Sequence, residues 1–210
     1  MYILAKQHGV SSPEEFGLLV SEHFLATYPW VVKSRVEVRL HPWQRIVDSW
    51  GRKHSHAFVS VPDMVRTAEV IRERGAMPEV SAGIRDLRVL KTTQSSFVDF
   101  VDDEYRALPF DDDRLLSTVV TADWSYSSPL GGHQEYDDAF NKVRDTILEV
   151  FAGPADTGIF SASVQNSQHL TQTKILETIP TIKYFTASPW PIQMFTILAS
   201  TSRYFLIFPD

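Results

Sequence analysis

The run from Leu87 to Arg114, LRVLKTTQSSFVDFVDDEYRALPFDDDR, carries the side chains best suited to chemistry. Arg114 offers a planar guanidinium fork, which suits bidentate, charge-assisted bonding to an anion. Phe97, Phe100 and Tyr105 precede it at near-helical spacing. An aromatic face can lie against a planar heterocycle, but a stripe at that spacing is more often core. His54 and His56 stand at i, i+2, on one face of a strand. Two imidazoles so placed could hold a metal, yet the chain offers no obvious third ligand, so a structural or interface role is the expectation. Asp111, Asp112 and Asp113 are adjacent carboxylates that cannot all face one ion and fit no calcium loop. They read as a solvated acidic turn. No glycine-rich phosphate loop, dinucleotide fingerprint or nucleophile elbow is present.

Composition narrows the class. The 210 residues suffice for one or two domains with a real core, and 43% hydrophobic with 22% charged residues is ordinary for a globular protein. A formal net charge of −6, with no basic run, argues against nucleic acid as a partner. The absence of cysteine excludes disulfides, thiolate chemistry and cysteine-based metal sites. No apolar run is long enough to span a bilayer, and MYILAKQHGV does not read as a signal peptide.

The elements that must position these residues follow from pattern. Met1 to Lys6 alternates loosely and is expected as a strand. Ser12-Pro13-Glu14-Glu15 is a helix start, with Ser12 as cap, Pro13 in the first turn and Glu15 completing a capping box. Phe16, Leu19, Val20 and Phe24 are expected on its apolar face. Val31 to Leu40 reads as a strand, with Val32, Val36, Val38 and Leu40 on one side, and Ala57 to Val61 as its partner after a polar turn at 50–53. Val70 to Gly75 has no clear pattern. Leu87 to Lys91 and Leu115 to Tyr126 are strands. Asp137 to Ala152 is the clearest helix, capped by Asp137, lined by Phe140, Val143, Ile147 and Val150, and stopped by Gly153-Pro154. A further helix starts near Ser163, and Ile182 to Ser188 and Met194 to Leu198 are strand candidates. The fold class is α+β with antiparallel sheets.

The apolar, Lys, Thr/Thr, Phe, Phe, Tyr, Leu and Arg positions of Leu87–Arg114 closely resemble the signature of the urate oxidase (uricase) family. The likeness runs from Tyr2 to about Phe195. It includes Glu15-Phe16-Gly17 and His23-Phe24, Pro42-Trp43, His54-Ser55-His56-Ala57-Phe58, Phe151-Ala152-Gly153-Pro154 and Ser163-Val164-Gln165. The resemblance implies tandem tunnelling-fold (T-fold) units with helices on one face, here residues 1–74 as an incomplete first unit lacking its opening hairpin and 75–210 as a second with a divergent end. It implies oxidation of urate by O2 to 5-hydroxyisourate and hydrogen peroxide in purine catabolism, without metal or organic cofactor. It also implies a homotetramer with sites at subunit interfaces, and a peroxisomal location if the source is eukaryotic, otherwise cytoplasmic. The ending FLIFPD is not a Ser-Lys-Leu address. By the same resemblance Phe97 stacks on the purine, Arg114 grips its carbonyl and ring nitrogen, and the main chain of Val164 and side-chain amide of Gln165 complete the grip. Leu108 walls the pocket or packs in the core. An isolated glutamine at a helix start would read as a solvated cap; the Ser-Val-Gln context favours binding.

The chain also departs from the family pattern. The family's catalytic lysine and threonine fall before Tyr2. The Leu-Pro-Asn-x-His segment falls on Pro189-Trp190-Pro191-Ile192-Gln193, so the asparagine position is Pro191 and the histidine position Gln193. Glutamine cannot act as acid or base. The expectation is a urate oxidase by family whose 210 residues hold the grip but not the proton relay. The alternative is a catalytically inactive homologue that binds a purine or only assembles with intact subunits. The missing hairpin would expose a sheet edge at Tyr2 to Lys6 and weaken assembly.

Overall fold

A computed structural model describes residues 1–60, 64–96, 98, 103–105 and 110–191. Phe97 and Phe100, of the aromatic stripe at near-helical spacing, fall outside these residues, and the strand expected at Met194 to Leu198 lies wholly outside them.

The first segment is a helix, α1 (Tyr2–His8), not the expected strand. It pairs with no described strand, and main-chain groups without a strand partner are satisfied locally by helical bonds such as Ala5 N–H to Met1 O at 3.0 Å. Helix α2 (Pro13–Thr27) starts as the sequence predicts: Pro13 opens it and the Ser12 hydroxyl accepts from the Glu15 N–H at 3.2 Å. Its buried face is turned from the expected one and runs through Glu14, Gly17, Val20, Ser21 and Leu25, while Phe24 is exposed. The reason is close approach. A Cβ on Gly17 would sit 2.8 Å from Val70 Cγ2, so the small residues face the sheet.

Strand β1 (Lys33–Leu40) is followed by a separate two-stranded hairpin, β2 (Trp43–Val47) and β3 (Lys53–Ser60). The Asp48 carboxylate builds its turn, accepting from the Trp50 and Arg52 N–H groups at 3.0 and 2.9 Å. β3 therefore does not partner β1, contrary to the pairing expected from the sequence. That place belongs to β4 (Val65–Glu73), in register Val36↔Val70. β5 (Glu79–Lys91), β6 (Leu116–Tyr126) and β7 (Ile182–Pro191) extend the sheet in the antiparallel order β1-β4-β5-β6-β7.

Helix α3 (His133–Ala152) begins at a Gly132 cap and ends at Gly153, whose φ of 73° is left-handed. Asp137 lies inside this helix and does not cap it. Helix α4 (Val164–Thr178) starts at Ser163, whose hydroxyl accepts from the Asn166 N–H at 3.0 Å. α2 packs on β1 and β4, α3 on β5 and α4 on β7, so these helices cover one face of the sheet. The core lies between: Val70, Val80, Ile84, Trp124, Phe140, Val143, Ile147, Ile175 and Phe185, with Trp124 stacked on Phe185 at 6.4 Å. The opposite face is polar, with Arg35, Glu69, Arg85 and Asp123 along a groove.

Two features set how this layer is held. Arg66 on β4 is nearly buried and bonds the fully buried Glu14 of α2 at 2.8 Å and Asp137 of α3 at 2.6 Å, with its guanidinium 4.4 Å above the Phe140 ring. Burial pushes the Glu14 carboxyl above its ordinary range, against the pull of Arg66. The second feature is a bulge in β5. Ile84 faces Ala122 and Leu87 faces Val120, so Arg85 and Asp86 stand against Thr121 alone, and Asp86 takes φ 60°. Side chains alternate with period two, so the extra residue swaps the faces. Val80, Ala82 and Ile84 point to the core before it, and Leu87 and Val89 after it. Lys91, on the parity of Leu87, is thereby delivered to the helical side.

Candidate binding site

The end of β5 meets two other segments. The Arg114 N–H donates to Ser95 O at 2.7 Å, and Ser95 forms a parallel bridge with Ser161. Ser161 lies just before Ser163, the cap of α4, so the structure draws Arg114 and the first turn of α4 into one region. Val164 and Gln165 open that turn, Val164 half-buried and Gln165 exposed. The first N–H groups of a helix have no intrahelical acceptor and carry partial positive charge. A helix N-terminus favours an anionic partner, and an arginine lies in the same region of the chain. Phe97 and Leu108 lie outside the described residues.

Several polar contacts brace this region. Thr93 Oγ1 donates to the Asp113 carboxylate at 2.8 Å, and the Gln94 N–H donates to Asp113 Oδ1 at 2.9 Å. Asp113 is thus more than a solvated acid; it anchors the residue beside Arg114. The Lys91 ammonium donates to Ile159 O at 2.6 Å and to Ser161 Oγ at 2.9 Å, 5.3 Å from the Phe151 ring centroid. Partial burial draws its pKa below the ordinary lysine value. The sequence pattern missed Lys91, Gln94 and Asp113 as bracing groups. Lys91 has the parity of the open face until the bulge at Asp86 is counted, and nothing in local pattern announces a left-handed aspartate there.

Beneath Val164 is a gap of about 50 Å³ between helices and sheet, lined by Leu116, Val120, Ile147 and Phe151 among others. It is smaller than the small-molecule sites that run to about 300 Å³ and above. On the adjoining strand Pro191 pairs with Thr118 across β6 and β7, near the beginning of β6. Gln193 lies outside the described residues.

His54 and His56 stand apart on β3, with ring centroids 4.5 Å apart. His54 Nδ1 accepts from the Ala57 N–H at 3.0 Å. Among the described residues no group of three or more His, Asp or Glu side chains is placed to hold a metal, and no helix is long and apolar enough to cross a membrane.

Comparison with known proteins agrees with the fold. The family model described as Uricase matches residues 1–71 and 80–188. A uricase of Drosophila pseudoobscura pseudoobscura is 38% identical over 203 residues, covering 87% of this chain and 58% of that protein. The uricase of Oryctolagus cuniculus is 38% identical over 197 residues, covering 94% of this chain and 65% of the relative. Among solved structures, the uricase from Arthrobacter globiformis superposes with a TM-score of 0.77 at 31% identity, over 90% of this chain and 60% of its own. The chain thus spans about three-fifths of the length of such relatives. With the matching family model, relatives at 38% identity and the shared sheet-and-helix layout, this chain belongs to the uricase family.

Proposed function

We propose that this chain forms the substrate-gripping part of a urate oxidase. The reaction is urate + O2 + H2O → 5-hydroxyisourate + H2O2. Urate gives up two electrons to oxygen, and water supplies the hydroxyl added to the ring. In this reading neither a metal nor an organic cofactor takes part. The Arg114 guanidinium holds the urate anion through paired N–H bonds, which a point-charge lysine would not reproduce. The Gln165 amide and the Val164 N–H hold the opposite edge, Phe97 stacks on the ring and Leu108 walls the pocket. The observation that supports this reading is the main-chain tie from Arg114 through Ser95 to Ser161, two residues before the Ser163 cap of α4. Residues 1–74 and 75–210 are tandem T-fold units in this reading. The partners are urate, oxygen and further copies of the chain, as a homotetramer with sites between subunits. The compartment is the peroxisome in a eukaryote and the cytoplasm otherwise.

The test is urate consumption, followed by loss of near-ultraviolet absorbance, with Arg114→Ala as control and calorimetric titration of urate beside it. Turnover abolished by the substitution supports the full reading. Binding that depends on Arg114 without turnover supports the grip and assigns the proton relay to residues other than these 210. Urate binding equal in both forms, or absent from both, overturns it.

A further inference from the structure

Gln94 has φ 62°, in the left-handed region that non-glycine residues seldom enter. Such a conformation is costly and persists only where the surroundings over-determine it. Here they do, and from both arms of the site. The Gln94 N–H donates to Asp113 Oδ1 at 2.9 Å, on the arm that carries Arg114. Its carbonyl accepts from the Ser161 N–H at 2.9 Å, and its side-chain Nε2 donates to Thr157 O at 2.6 Å, both on the arm that leads into α4. The next residue, Ser95, makes the remaining links to Arg114 and Ser161. Gly158 leaves room for the amide: a Cβ there would lie 2.7 Å from Gln94 Oε1. Lys91 reinforces the second arm through Ile159 and Ser161.

We propose that Gln94 is the positioning residue of this site, the clasp that fixes the separation between Arg114 and the Val164–Gln165 turn. It acts through its neighbours and does not itself touch the ligand. The role rests on the urate reading above. A flat ligand held at both edges needs its two grips at a set distance, and a misplacement of about 1 Å is enough to cost much of the effect.

The experiment compares the full chain with Gln94→Ala and Gln94→Asn by site-resolved amide hydrogen exchange and by urate titration well below the melting temperature. Gln94→Ala keeps the strained backbone and removes the bond to Thr157. The expected result is at least tenfold faster exchange at Ser161 and Arg114, unchanged exchange at Val80 and Trp124 in the core, and at least tenfold weaker urate binding. Gln94→Asn, which tolerates the left-handed backbone and keeps an amide, restores part of both. Unchanged exchange at Ser161 and Arg114 in Gln94→Ala overturns the clasp. Faster exchange with unchanged urate affinity overturns the positioning role, since a merely structural link would show that pattern. A parent chain that binds no urate overturns the substrate reading, and the exchange data then decide separately whether Gln94 ties the two arms.

Discussion

Removing the Arg66 guanidinium by Arg66→Met leaves the fully buried Glu14 carboxylate without its cation. Breaking a buried pair from one side costs about 3–5 kcal/mol, because the remaining charge is stranded away from water. For a domain of this size each kcal/mol moves the melting temperature by about 2–4 °C, so the expected fall is about 6–20 °C. Asp137 also loses its partner, but its side chain is 35% exposed and water takes over. The double variant Glu14→Leu/Arg66→Met removes both charges from the interior and is expected to recover at least half of the loss. Urea melts followed by near-ultraviolet circular dichroism, which reads the packing of Trp124, give the four corners of the cycle. Additive effects within about 0.5 kcal/mol would sink the reasoning, since they would mean that Glu14 and Arg66 do not interact as a buried pair. The pH dependence is a second check. Burial holds the Glu14 carboxyl above its ordinary 4.5, so between 4.5 and the raised value the folded chain keeps a proton that the unfolded chain has lost. This group's contribution to stability is therefore full below 4.5 and is lost as pH rises through the folded value. Arg66→Met, which removes the main opposing influence, steepens that loss, and Glu14→Gln abolishes it.

Other outcomes follow from the same geometry. Arg114→Lys keeps the charge but not the fork and is expected to weaken urate binding at least tenfold in calorimetry, while Arg114→Ala weakens it at least about a hundredfold, the lower bound for two charge-assisted hydrogen bonds. Gly153→Ala forces a side chain into a left-handed residue and sets a Cβ 2.6 Å from the Gly158 carbonyl carbon, so thermal melts should fall by at least about 4 °C. Gly75→Ala at φ 80° meets open space and should lose only the backbone share, about 1–2 kcal/mol. Equal losses at the two glycines would refute the clash at Gly153.

Local chemistry was legible where one residue decides it. The Ser12 and Ser163 hydroxyls cap the helices that the sequence starts there, and Gly153 stops α3 where expected. The strand of Leu116–Tyr126 and the core positions Phe140, Val143 and Ile147 were readable from period alone. What failed was anything set by a distant partner. β1 skips the intervening hairpin to reach β4, a choice made by the helix-covered sheet and not by proximity in sequence. Asp137 has the look of a cap but serves Arg66 from a strand far away in the chain. Of the site, the run ending at Arg114 and the Ser163-Val164-Gln165 start of α4 could be singled out by likeness. Their joining through Ser95 and Ser161 could not, because it depends on where two loops cross.

The swap of faces at Asp86 has a consequence for how this strand can change over generations. A single-residue insertion or deletion between Ile84 and Leu87 would shift Leu87 and Val89 out of the core and turn Lys91 away from Ile159 and Ser161 in one step. Length changes there are tolerable only in pairs, or when a second change restores the parity at the same locus. Drift in this segment should therefore appear as substitution at fixed length, with Asp86 replaced most readily by asparagine or glycine, the residues that enter its backbone conformation at least cost.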